Sequence, residues 1–134
     1  MEGQFVVQLE NRPGELAAVA RALASRGINI THISCAGAGG VACCFLTTDQ
    51  VDEAREALCG LGHAFIEGAT VVVEVEDRPG GLADVAERLA AAGVNVLATL
   101  IIGRHAGSVK MAFAVDDREK AQAALREVEP AGVA

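Results

Sequence analysis

Apolar and polar residues alternate from Gln4 to Glu10, with Phe5, Val7 and Leu9 on one side and Gln8 and Glu10 on the other. The alternation returns from Thr70 to Glu76, where Val71, Val73 and Val75 oppose Glu74 and Glu76. A period of two in such residues predicts a half-buried strand. After each strand the apolar spacing changes to three and four, through Leu16, Val19, Ala20 and Leu23 and again through Leu82, Val85, Ala86 and Leu89. That spacing predicts a helix with one apolar stripe. Gly27 and Gly93 follow where a left-handed residue ends a helix. Second strands are expected over residues 28–35 and 94–102, hairpin loops over 36–40 and 103–107, and third strands over 41–47 and 109–115. Asp49 and Asp117 suit the starts of two further helices, over 51–60 and 118–128, because a carboxylate there accepts backbone N–H groups. Residues 64–66 predict a brief fourth strand, and 130–134 leave room only for a stub of its counterpart.

The two halves are one pattern written twice. Glu10-Asn11-Arg12-Pro13-Gly14-Glu15-Leu16 returns as Glu76-Asp77-Arg78-Pro79-Gly80-Gly81-Leu82, 66 positions on (78 less 12). Of the 26 pairs between residues 4 and 29, 14 are identical without a gap, which marks two copies of one structural unit. Phe113 follows Phe45 by 68 positions, so the second hairpin loop is expected to be two residues longer. Each copy reads strand, helix, strand, strand, helix, strand. This order predicts an α+β fold of two ferredoxin-like βαββαβ modules, residues 1–67 and 68–134, side by side, with antiparallel sheets and helices on one face. The strand over 94–102 is apolar on both faces, which suits an interface strand or one buried between layers.

Charge narrows the partners. A net charge of −7 and a pI near 4.9 exclude the basic footprint of a nucleic-acid binder. With no Trp or Tyr the chain also lacks stacking platforms for bases. The start shows no basic and apolar leader, and the apolar run 94–102 is far short of the ~20 residues that span a bilayer. A cytoplasmic location is therefore expected, with no membrane partner and with Cys35, Cys43, Cys44 and Cys59 as reduced thiols.

The unit of strand, Asn/Asp-Arg-Pro-Gly-x-Leu, amphipathic helix, Gly-Ile/Val-Asn-Ile/Val and strand resembles the ACT domain, a family of small βαββαβ modules that bind amino acids and regulate metabolic enzymes. The resemblance covers the chain twice and implies a free-standing tandem ACT protein, non-enzymatic and without a cofactor. It also implies a homodimer, and a small amino acid bound at module interfaces between the loop after the first strand and the start of the second. The implied ligand-binding residues are Asn11, Gly14, Glu15, Leu16, Asn29 and Ile30 in copy one and Asp77, Gly80, Gly81, Leu82, Asn95 and Val96 in copy two. A metabolic enzyme or regulator is the implied listener. The serine-sensing members carry His where Leu9 stands, which tells against serine itself.

Elementary chemistry fits a small zwitterion at these positions. Gly14 and Gly80 let backbone approach a ligand, at a helix start where unpaired N–H groups favour a carboxylate. Asn11 and Asn29 each offer a donor and an acceptor, whereas Asp77 offers acceptors alone, so copy one is expected to be the better site. The plainer alternatives are that Pro-Gly only turns the chain and opens a helix, that Asn29 and Asn95 cap or bridge backbone groups, and that Arg12 and Arg78 are solvated or packed along the helix. Cys35, Cys43 and Cys44 with His32 lack the spacing of a zinc site, and small buried hydrophobes are the better reading. Gly37-x-Gly39-Gly40 has no helix after it and reads as a hairpin instead of a phosphate cradle. Two other functions stand beside amino-acid binding: a constitutive assembly subunit, and, more weakly, an acylphosphatase-like enzyme.

Overall fold

A computed structural model of the chain describes residues 4–126. The chain divides into two compact units, Met1–Gly68 and Ala69–Ala134. Unit 1 runs β1 (Gln4–Glu10), α1 (Glu15–Ala24), β2 (Ile30–Ala38), β3 (Val41–Thr48), α2 (Val51–Leu61) and β4 (Phe65–Glu67). Unit 2 runs β5 (Ala69–Glu76), α3 (Gly81–Ala91), β6 (Val96–His105), β7 (Ser108–Val115) and α4 (Arg118–Leu125). The sheets are β2-β3-β1-β4 and β5-β7-β6, antiparallel throughout. This is the ferredoxin-like arrangement; the expected strand stub over 130–134 lies outside the described residues.

Alternation in the strands becomes alternation in burial. Phe5, Val7 and Leu9 enter a core with Val19 and Leu23 of α1 and Ala54, Ala57 and Leu58 of α2. Val71, Val73 and Val75 do the same with Val85, Leu89, Ala121 and Leu125. A fully buried Leu or Phe stabilises by about 1.5–3 kcal/mol relative to exposure, so these stripes fix which helix face meets the sheet. The stripe is narrower than the spacing predicts, since Leu16 and Leu82 are each 48% exposed. Both stand in the first helical turn, beyond the edge of the core.

Both hairpins are tighter than expected. The strands continue to Ala38↔Val41 and His105↔Ser108, leaving Gly39-Gly40 and Ala106-Gly107 as two-residue turns. Phe113 stands opposite Val71 as Leu46 stands opposite Phe5, so its counterpart is Leu46, 67 positions back (113 less 46), and not Phe45. Beyond the 66-residue offset the second copy has gained one residue, not two, and a strand absorbs it. β2 shifts register once, between Ile30 and His32, whereas β6 shifts twice, at Val96/Ala98 and Ile101/Gly103. A bulge takes up an extra residue without lengthening the turn.

Asp49 does not cap a helix. Gln50 holds the N-cap of α2, while Asp49 Oδ1 accepts the Asn29 N–H at 3.0 Å. Its equivalent is Asp116, which accepts the Asn95 N–H at 2.9 Å. Asp117 does cap α4, accepting the Lys120 N–H at 3.1 Å. The cysteines also depart from expectation. Cys35 and Cys44 are directly paired across β2 and β3 with Cα atoms 4.1 Å apart, and they form a disulfide. Facing residues in an antiparallel pair bring their Cβ atoms within bonding reach, and pairing rather than sequence spacing decides it. Cys43 is free and exposed, so it is not a buried hydrophobe, and Cys59 is free as well.

Candidate functional site

The corner between β1 and α1 is built by Gly14. Its φ of 92° lies in the left-handed region, which costs a side-chain-bearing residue about 1–2 kcal/mol. Gly80 repeats this at φ 89° between β5 and α3. The turn starts the helix at once and leaves its first N–H groups without a side-chain cap. Asn11 then fastens the corner to the β2–β3 hairpin. Its backbone N–H donates to the Gly40 carbonyl at 3.0 Å and its Nδ2 to the Gly39 carbonyl at 3.0 Å.

A cleft of about 180 Å³ opens beside that corner. Leu9, Glu10, Asn11, Arg12, Glu15 and Leu16 form one side, and Cys35, Ala36, Gly37, Ala42 and Cys44 form the other. Its volume is below the about 300–1,000 Å³ of drug-sized ligand sites, so it suits a metabolite of amino-acid size. Glu15 has a side chain only 14% exposed and accepts Arg12 Nε at 2.6 Å. Arg12 also meets Glu10 at 2.8 Å, and the hydrogen bond to Glu15 followed by the charge of Glu10 holds its guanidinium more firmly protonated than usual. Arg12 is therefore ion-paired and not merely solvated. The cleft brings together an amide, a half-buried carboxylate, a guanidinium, uncapped helix N–H groups and an apolar wall of Leu9, Leu16 and the disulfide.

The matching corner of unit 2 keeps the frame and changes the contents. The Asp77 N–H donates to the Gly107 carbonyl at 3.0 Å, as Asn11 does to Gly40. The Asp77 side chain is taken by Arg104, whose guanidinium donates to Oδ2 at 2.9 Å. Gly81, where unit 1 has Glu15, is buried, and a Cβ there would run into the Glu76 carbonyl oxygen. Arg78 pairs with Glu76 and Asp84, each at 2.7 Å. A wider depression of about 410 Å³ lies elsewhere, along the outer face of α3 at Asp84, Glu87, Arg88 and Ala91. Its lining among the described residues is one face of that helix.

Asn29, Ile30, Asn95 and Val96 stand apart from these corners. β1 and β2 both pair antiparallel with β3, so they run the same way and the start of β2 is at the far end from Asn11. At about 3.3 Å per residue, the 9 residues of β2 separate the two by roughly 25–30 Å. The expected cooperation of Asn11 with Asn29 cannot occur within one unit. Asn29 instead exchanges backbone contacts with Asp49, its carbonyl accepting the Asp49 N–H at 3.2 Å, and Asn95 does so with Asp116, also at 3.2 Å.

Gly37, the disulfide and Arg104 went unseen as site residues. Gly37 belonged to a glycine cluster legible only as a hairpin, and Arg104 to a stretch read as loop. The signal that finds them is cross-strand pairing. Among the described residues no group of three or more His, Cys, Asp or Glu could hold a metal ion, and no helix is long and apolar enough to cross a membrane.

Two repeated corners of this kind, each opening a helix above an antiparallel sheet, define a class of small α+β modules. The ACT domain sequence profile matches residues 4–61 and 69–132, and the chain belongs to the ACT domain family as a tandem pair. A search of curated proteins returns no match. Among solved structures, a protein from Bacteroides thetaiotaomicron is 24% identical, with a TM-score of 0.68 over 92% of this chain and 85% of that one. The regulatory subunit of aspartate kinase from Thermus flavus is 26% identical, with a TM-score of 0.67 over 94% of this chain and 90% of that one. The ligand-free regulatory subunit of aspartate kinase from Thermus thermophilus is 24% identical, with a TM-score of 0.64 over 93% and 89%.

Proposed function

We propose that this chain is a non-enzymatic regulatory module that binds a small amino acid at the β1–α1 corner and passes its occupancy to a partner, a metabolic enzyme or regulator. The observation that carries this reading is the cleft of unit 1, where Asn11, Arg12 and Glu15 converge over an apolar wall. Glu15 and the Asn11 carbonyl oxygen suit an ammonium, and Arg12 with the first N–H groups of α1 suits a carboxylate. Family membership supports it, as does the likeness to a regulatory subunit of aspartate kinase.

Asn29 and Ile30 enter this reading through a second copy. β2 and β6 are edge strands, and Ile33 (42% exposed), Val96 (36%) and Ile101 (47%) leave them apolar. Antiparallel pairing of two β2 edges sets the start of one strand beside the end of the other, bringing a partner's Asn29 towards Asn11. A ligand bridging the two surfaces then favours the paired arrangement, which is how occupancy becomes a signal.

The test is the melting temperature against a panel of the proteinogenic amino acids at millimolar concentration. A ligand at 100 times its dissociation constant adds about 2.7 kcal/mol, several degrees for a chain of this size. At least one amino acid is expected to give that shift, and Asn11→Ala and Asn29→Ala are each expected to reduce it. Absence of a shift with every amino acid would sink the reading and favour a constitutive assembly subunit.

A further inference from the structure

Gly37 and Arg104 occupy one structural position. Each directly precedes the last strand pair of its hairpin, Ala38↔Val41 in unit 1 and His105↔Ser108 in unit 2. The neighbouring frame is shared as well, since Asn11 and Asp77 both donate their N–H to the second turn residue at 3.0 Å. Only the side chains diverge. A Cβ on residue 37 would fall 2.6–2.8 Å from the Asn11 amide group, so the seat of Asn11 requires that residue 37 have no side chain. At residue 104 a long side chain crosses the same space and donates to Asp77 at 2.9 Å.

Both partners of that pair are more than half exposed, at 61% and 52%, and an ion pair so exposed adds little to stability. Its consequence is local. The long side chain of Arg104 reaches across the hairpin to Asp77, over the approach to the corner that Gly37 leaves clear in unit 1. Gly81 adds to the difference, because the space against Glu76 excludes the side chain that supplies a carboxylate at Glu15.

Resting on the amino-acid reading above, we propose that Gly37 and Arg104 decide which module admits ligand. Gly37 keeps the unit 1 cleft open, Arg104 closes its counterpart, and each chain takes one small amino acid, in unit 1. The bound species is a zwitterion whose ammonium goes to Asn11 and Glu15, the groups for which unit 2 has substituted an internal cation and a glycine.

Calorimetry on the full chain tests this, with the proteinogenic amino acid that gives the largest thermal shift as titrant. Wild type is expected to bind one per chain. Transplanting the plug, Asn11→Asp with Gly37→Arg, is expected to weaken binding by about tenfold or more. Gly37→Ala, a smaller change at an exposed position, is expected to weaken it in the same direction by displacing Asn11. Removing the plug, Asp77→Asn with Arg104→Gly, is expected to raise the stoichiometry to two, with a weaker second site. Two ligands per wild-type chain would overturn the proposal, as would unchanged affinity in the transplant or a stoichiometry still at one in the unplugged variant. Far-ultraviolet circular dichroism confirms that each variant is folded. Absence of binding by wild type to any amino acid would instead overturn the amino-acid reading itself.

Discussion

Cys35 is exposed and Cys44 buried, so their disulfide links the rim of the unit 1 cleft to the core beneath it. The bond closes a loop of separation 9, for which chain entropy alone gives about 2.5 kcal/mol of stabilisation. Thiol titration of the denatured, unreduced chain should find two reactive groups, Cys43 and Cys59. A count of four would contradict the disulfide. Cys35→Ser should then lower the melting temperature by several degrees, and added dithiol should erase the difference from wild type. At this scale the sequence was legible in types and not in partners. Gly14 and Gly80 stand where turn chemistry places them, because a left-handed turn is a local demand. The Cys35–Cys44 bond, the seat of Asn11 against Gly37 and the Asp77–Arg104 pair are contacts across strands, set by register that no local pattern records.

Strands and helices were largely legible because burial repeats the periodicity that builds them. The errors fall where two physical solutions compete. An extra residue in the second copy could lengthen a turn or bulge a strand, and only pairing shows that β6 takes it up. Asp49 could cap α2 or serve the strand end, and it accepts the Asn29 N–H instead. One tie between elements carries a pH signature. Arg55 on α2 donates to both oxygens of Glu67 on β4, at 2.5 and 2.7 Å. The hydrogen bond from Arg55 outweighs burial and holds the Glu67 carboxyl below its ordinary value of 4.5. A depressed folded value means stability that is fully present above 4.5 and lost as pH falls through the folded value. Glu67→Gln should therefore melt below wild type at about pH 5, with the gap narrowing towards about pH 3. A gap that stays constant over that range would show that the pair contributes nothing through its charge.

At the scale of the molecule, duplication has kept a scaffold and let its contents drift. Both units retain the left-handed glycine, the bond from strand end to hairpin and the aspartate that receives the Asn29 or Asn95 N–H. They differ at Asn11/Asp77, Glu15/Gly81 and Gly37/Arg104, which are the positions proposed to face a ligand. The first two differences could be read from the aligned halves. The third could not, because the bulge in β6 moves Arg104 one residue out of the 66-residue alignment. The most direct test is chemical-shift mapping of the ¹⁵N-labelled chain, titrated with the amino acid that stabilises it most. The backbone signals of Asn11, Glu15, Leu16 and Gly37 are expected to move on titration, while those of Asp77, Gly81, Leu82 and Arg104 stay in place. Shifts confined to the second set, or no shifts in either, would contradict an amino-acid site at the first corner.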